Sequence, residues 1–155
     1  MKRADAFPVA GACVSALLLA ACAGAPRLTV GSAVPPVAED PAALADRFPL
    51  APGDNIRVQP LGRTDACSYS FIQIRDRERP HLHASHDLTV TLLRGTGRLH
   101  VADRTVDMRP GDVAFVERGT RHYFVNTGAG PAAAFAMFAP PYDGTDQVPA
   151  VETER

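Results

Sequence analysis

The stretch RPHLHASHDLTV, residues 79–90, places three of the chain's five histidines within six positions and then continues into a β-branched run. Side chains two apart on a strand face the same side, so His81 and His83 present both imidazoles to one face. An HxH pair on a strand therefore suits two ligands of one metal ion. The alternative is a solvated sheet edge rich in histidine, and a further histidine is needed to choose between them.

His122 is that further histidine. It follows a strand-like run at 113–116 and a tight turn at 117–120, and it opens the run HYFVN at 122–126. We therefore predict that His122 completes a metal site with the HxH pair.

Short alternating runs of strand length fill the chain from Asn55 onward. Turn signals such as Gly95-Thr96-Gly97 and Pro110-Gly111-Asp112 separate them, and no segment there has a useful helical period. This pattern predicts an all-β sandwich or barrel. The runs are 68–75, 88–93, 98–102, 105–108, 113–116, 122–126 and 133–139. In the last of these runs, 133–139, Phe135 and Met137 are expected in the core and Phe138 on the other face of the strand.

The spacing of residues 111–126 resembles the second sequence motif of the cupin family. That motif reads glycine, five residues, PxG, two residues, histidine, three residues, asparagine. Gly111, Gly119, His122 and Asn126 match it, and Glu117 stands where the family has proline.

The first cupin motif is also matched, in register with the second. It reads glycine, five residues, HxH, three or four residues, glutamate, six residues, glycine. His81, His83 and Gly95 match, and Arg75 holds the position of the opening glycine. The gap between the motifs, residues 96–110, is typical of small bacterial members.

The resemblance implies a small jelly-roll barrel, or double-stranded β-helix, with one divalent metal held by His81, His83 and His122. Imidazole ligands suit Fe, Zn, Ni or Cu, and the sequence leaves the metal open. Three neutral imidazoles leave the ion's double charge uncompensated, which favours a small anionic ligand. The resemblance implies metal-dependent chemistry on a small organic anion, most often oxygenation. Binding without turnover, and a metal-free structural module, remain alternatives, and a homodimer is expected by resemblance.

The carboxylate of the first motif is missing. Counting back from Gly95 puts the glutamate position at Leu88, which shares its inward parity with Val90. The shorter spacing would put it at Asp87, which could swing in from the loop. His86 could instead supply a fourth imidazole or an outer contact. Alternatively, the Ser-His-Asp run is a hydrogen-bonded cap that orients His81 or His83.

The N-terminus has the layout of a secretory signal. Lys2 and Arg3 precede an apolar run at 7–19, and Leu19-Ala20-Ala21-Cys22 looks like a bacterial lipobox. We expect acylated Cys22 to begin the mature chain and anchor it to the cell envelope, on the periplasmic face of the outer membrane because Ala23 follows. The alternative is that the uncharged run at 6–26 stays as one membrane-spanning helix.

The predicted organisation has four parts. A signal peptide at 1–21 precedes an Ala/Pro-rich tether at 22–53, which carries a short helix near 40–48. The barrel follows at 54–142, and a polar tail ends the chain at 143–155. The net charge of -1 and the scattered arginines exclude a basic patch for nucleic acid.

Overall fold

The fold is a pair of five-stranded antiparallel sheets packed face to face. The computed structural model describes residues 27–30 and 37–151. The elements are β1 Leu28–Val30, β2 Val37–Glu39, α1 Pro41–Arg47, β3 Ile56–Arg63, β4 Ser68–Ile74, β5 His81–His83, β6 Asp87–Arg94, β7 Gly97–Val101, β8 Arg104–Met108, β9 Val113–Val116, β10 His122–Asn126, β11 Ala132–Ala139 and β12 Gln147–Pro149.

The core lies between the inner faces of the two sheets. The first sheet has the order β12-β5-β10-β7-β8 and the second the order β3-β4-β11-β6-β9. Alternate residues of each strand point inward, so Leu92 of the second sheet packs with Leu99 and Phe124 of the first. A second cluster joins Leu88 to Phe138 nearer the histidines. The predicted all-β jelly-roll barrel is confirmed.

A short helix covers part of the outer face of the second sheet. It begins after Asp40, whose carboxylate accepts hydrogen bonds from the backbone N–H groups of Ala42 and Ala43, both at 2.8 Å. The helix predicted near 40–48 is confirmed. Leu44 of the helix and Leu28 of β1 are buried against this face. The described parts of the predicted tether therefore pack on the barrel.

The end of the chain also belongs to the fold. β12 pairs antiparallel with β5, with Gln147 opposite His83 and Pro149 opposite His81. This stretch was predicted as part of a polar tail. All three residues of β12 are exposed, so the strand has no apolar alternation that would reveal it in the sequence. The first sheet therefore extends past residue 142.

The parity assigned to β11 is wrong. Phe138 points inward, with its ring centroid 5.0 Å from that of His83, whereas Phe135 packs under the helix on the outer face. Because α1 and β1 cover that outer face, both faces of β11 are apolar. Hydrophobic alternation cannot then tell the inner face from the outer one.

The signal peptide, Cys22 and the lipobox lie outside the described residues. Within residues 27–30 and 37–151, no helix has the length and hydropathy of a membrane span.

Candidate metal centre

Strand pairing brings the three histidines together on the inner face of the first sheet. β10 lies between β5 and β7, and His122 is directly opposite His81 in the antiparallel register. His83 is two residues along β5 from His81 and so faces the same side. Residues 41 positions apart in the chain thus become cross-strand neighbours.

The imidazoles form one compact, buried cluster. Their ring centroids are 4.4 Å apart for His81 and His122, 5.2 Å for His81 and His83, and 5.5 Å for His83 and His122. One potential ligand atom from each lies within 4.8 Å of the other two. All three side chains are buried. The structure thus brings together the three histidines predicted as ligands.

Each ring is held through Nδ1. His81 donates to the carbonyl oxygen of Arg79 at 2.8 Å and His122 to that of Thr120 at 2.9 Å. His83 donates to the carboxylate of Asp146 at 3.1 Å. Carbonyl and carboxylate oxygens only accept, so these bonds place the proton on Nδ1. The lone pair for a metal is then on Nε2.

The Nε2 atom of His122 is buried and has no hydrogen-bond partner among the described residues. An unpaired buried polar atom is costly, so it calls for a ligand. Burial, with smaller contributions from His81 and His83, lowers the pKa of His122 to about 4. Burial also lowers the pKa of His83. Both rings are therefore neutral at pH 7, the form that binds a divalent metal.

The cupin-domain family model matches residues 71–138 of the chain. An uncharacterized protein of Aquifex aeolicus (strain VF5) is 38% identical over 95 residues, which are 61% of this chain and 78% of that protein. The chain belongs to the cupin family.

Solved structures share the fold of this cupin at low sequence identity. A protein with a double-stranded β-helix domain from Klebsiella pneumoniae subsp. pneumoniae MGH 78578 is 18% identical with a TM-score of 0.59, and the match covers 70% of this chain and 95% of that one. The polyketide cyclase RemF from Streptomyces resistomycificus is 18% identical with a TM-score of 0.55, covering 64% and 74%. At these identities the likeness shows the fold alone.

Leu88 occupies the position of the family's glutamate. Its side chain is 8% exposed and packs with Val116, Ala136 and Phe138 on the inner side of β6. The inward parity inferred for Leu88 is therefore correct. This cupin has no carboxylate on β6 that points at the histidines.

Asp87 does not replace the missing carboxylate. Its two oxygens accept from the guanidinium of Arg118, at 3.0 Å from Nε and 2.7 Å from Nη2. The hydrogen bonds from Arg118 lower the pKa of Asp87 to about 2. Its carboxylate is therefore committed to a partner outside the cluster.

His86 is not a fourth ligand either. Its Nδ1 lies 2.5 Å from Oδ2 of Asp146, and its Nε2 lies 3.3 Å from the carbonyl oxygen of Pro141. Both ring nitrogens thus face oxygen atoms away from the cluster. Of the predicted Ser-His-Asp cap, Ser85 and His86 hold the Asp146 carboxylate that binds His83, whereas Asp87 takes no part.

A cavity of about 640 Å³ opens beside the histidines. It lies between edge strand β3 of the second sheet and strands β5 and β12 of the first. Ile56 and Val58 form an apolar wall, His81 and His83 lie at the metal centre, and Arg79 contributes a positive charge. A cavity of this size accommodates a small organic ligand.

Glu78 places a carboxyl group in the wall of this cavity. Its Oε2 accepts from the backbone N–H of Phe124 at 2.8 Å, and its own N–H donates to the carbonyl of Phe124 at 2.9 Å. Glu78 also lines a smaller apolar cavity of about 50 Å³ that contacts His122. Burial raises the pKa of Glu78. This carboxyl can hold a proton at a higher pH than an exposed one.

Sequence reasoning missed both Glu78 and Asp146. Glu78 sits in the run RDRER and Asp146 in a polar segment, so each looks like an ordinary solvated charge. Asn126, the last residue of the second motif, holds the turn after β10, because its Nδ2 donates to the carbonyls of Arg75 and Gly130, both at 2.8 Å.

Proposed function

We propose that this cupin binds one divalent metal ion through His81, His83 and His122 and binds or acts on a small organic anion there. The observation that carries the proposal is the buried, unpartnered Nε2 of His122 beside two further imidazoles. Three such nitrogens suit Fe, Zn, Ni or Cu and leave coordination positions for a ligand.

The charge of the site supports an anionic ligand. No carboxylate stands at position 88, so three neutral imidazoles leave a bound ion its double charge. Arg79 adds a positive charge to the cavity wall, and Ile56 and Val58 offer apolar contact. A bound metal would act as a Lewis acid or an oxygen-activating centre. Glu78 would exchange a proton with a ligand in the cavity.

Metal titration tests the first half of this proposal. The protein is purified without a histidine tag, stripped with chelator and titrated with Zn²⁺. We expect one ion per chain, and at least about 100-fold weaker binding in His81→Ala and His122→Ala. His100→Ala is the matched control, because His100 stacks on Tyr123 away from the cluster, with ring centroids 4.2 Å apart. If the wild type binds no metal, this domain is a metal-free module.

Oxygen uptake tests the second half. The Fe²⁺-loaded protein is supplied with aromatic, thiol and keto acids, and oxygen consumption and ligand binding are measured together. We expect one class of acid to bind and be consumed, and Glu78→Gln to slow turnover while binding persists. Saturable binding without uptake would make the domain a binding module. Neither binding nor uptake across the panel would contradict the anionic ligand.

We propose further that an acyl chain on Cys22 anchors this cupin to the cell envelope. Support comes from the sequence of the first 22 residues, where a basic start and an apolar run precede Leu-Ala-Ala-Cys. The ligand would then be one that reaches the exported face of a membrane.

A further inference from the structure

Asp146 is a carboxylate buried behind the metal centre. Its side chain is 7% exposed. A buried charge is costly unless donors surround it. Asp146 accepts from Nδ1 of His83 at 3.1 Å, Nδ1 of His86 at 2.5 Å, the backbone N–H of Ser85 at 3.0 Å and the hydroxyl of Ser85 at 3.1 Å. Four donors therefore stabilise the charged form.

The backbone of Asp146 is fixed to the strand that it serves. Its carbonyl accepts from the N–H of Ala84 at 3.1 Å, and the next residue, Gln147, pairs with His83. The ring of Tyr142 packs edge-on against His83 and His86, with centroids 5.3 Å from each. The carboxylate therefore has little freedom to leave His83.

The three histidines differ in what holds their Nδ1–H groups. His81 and His122 donate to neutral carbonyls two residues upstream, which the local chain supplies. His83 donates to an ionised carboxylate 63 residues away. A charged acceptor makes a stronger bond and increases the electron density on the opposite ring nitrogen. His83 is thus set apart from the other two as a ligand.

We infer that Asp146 is a positioning residue of the metal centre: it fixes the tautomer and orientation of His83 and supplies, through that ring, negative charge that Leu88 does not. This inference rests on the proposed metal-binding function. Asp146 does not contact the ion; it acts through His83. The segment that leads into β12 is therefore part of the support of the site.

The test compares Asp146→Asn with Asp143→Asn. Asn has the shape of Asp but no charge, and its amide N–H group would face one of the donors. Asp143 is the matched control, because it lies three positions earlier and bonds to Thr145 in a turn. We expect Co²⁺ to bind about 10- to 100-fold more weakly to Asp146→Asn, with a shifted visible spectrum, and no change in Asp143→Asn.

A second measurement separates this inference from the proposed function. Nitrogen-15 NMR of the metal-free protein should find His83 protonated at Nδ1 in the wild type and a mixture of tautomers in Asp146→Asn. Unchanged Co²⁺ affinity in Asp146→Asn, or a wild-type His83 protonated at Nε2, would overturn the role of Asp146. If the wild type binds no Co²⁺ but shows this tautomer change, Asp146 still positions His83 and only the metal function fails.

Discussion

His122 illustrates, at the scale of one residue, how burial prepares a ligand. Its ring is 3% exposed, and only its Nδ1 is hydrogen bonded. Burial, together with the two neighbouring imidazoles, keeps the ring neutral well below the ordinary pKa of histidine. Its Nε2 lone pair is therefore available to a metal at mildly acidic pH, where an exposed histidine is protonated.

The stability of the metal-free protein should fall in acid because of this residue. The pKa of His122 is about 4 in the folded state against 6.5 for an exposed imidazole. The unfolded chain binds the proton first, so the stabilisation is present above pH 6.5 and is lost as the pH falls towards 4. Between pH 7.5 and 5 the loss is about 2 kcal/mol.

Urea unfolding in chelator at the two pH values measures this loss. Between these two pH values, the unfolding free energy of His122→Gln should fall by about 2 kcal/mol less than that of the wild type. His100→Gln, outside the cluster, should keep the wild-type dependence. An identical pH dependence in His122→Gln would show that His122 is not held neutral in the folded state.

The three clustered histidines were predictable from the sequence, but the residues that support them were not. The spacing of His81, His83 and His122 within two cupin motifs is a local sequence property, and the structure brings those residues together. Glu78 and Asp146 act through long-range contacts, to Phe124 and His83 respectively. No periodicity or motif in one sequence records such a contact.

At the scale of elements, Gly97 of β7 lies in close contact with Phe124 and Val125 of β10. A Cβ atom there would lie 2.0 Å from Cζ of Phe124, and the backbone carbonyl of Val125 would be 2.6 Å away. Phe124 is two residues from His122 on the same inner face and bonds to Glu78. Gly97 therefore lets the ring of Phe124 fill the core beside the metal centre.

Gly97→Ala should destabilise the protein by about 1–3 kcal/mol, because the added methyl group displaces the Phe124 ring. Gly130→Ala is the control, since a Cβ at Gly130 meets no atom within 4 Å. Combining Gly97→Ala with Phe124→Leu should recover part of the loss, which a double-mutant cycle in urea measures. Equal stability of Gly97→Ala and the wild type would contradict this packing.

The sequence predicted most of the central strands and two of the four edge strands of the five-stranded sheets. The seven predicted runs overlap β4, β6, β7, β8, β9, β10 and β11. β3 and β12 were not predicted: each is an edge strand, and the inward residues of β3, Ile56 and Val58, are exposed at the cavity. Pro60 and Gly62 interrupt β3 at a shift in its register, and β12 has three exposed residues, so neither strand gives a clear strand signal in the sequence.

At the scale of the whole molecule, the two faces of the second sheet serve different purposes. Its inner face closes the barrel over the histidines, and its outer face carries α1 and β1, with Leu44 fully buried. The cavity opens elsewhere, between the edges formed by β3 and β12. Of the N-terminal residues that the structure describes, β1 and α1 therefore lie on the face away from the mouth of the site.

Anchoring through Cys22 predicts where the protein is found in cells. Wild-type protein should be recovered with membranes and carry a palmitate label, because stable attachment needs acyl chains. Cys22→Ser should lose the label, because it has no thiol at position 22 to carry the acyl chain. Cys13→Ser is the matched control within the same apolar stretch and should be labelled like the wild type. A wild-type protein that is recovered with membranes but carries no label would instead favour the uncharged run at 6–26 as a spanning helix, because a span holds the chain without acylation.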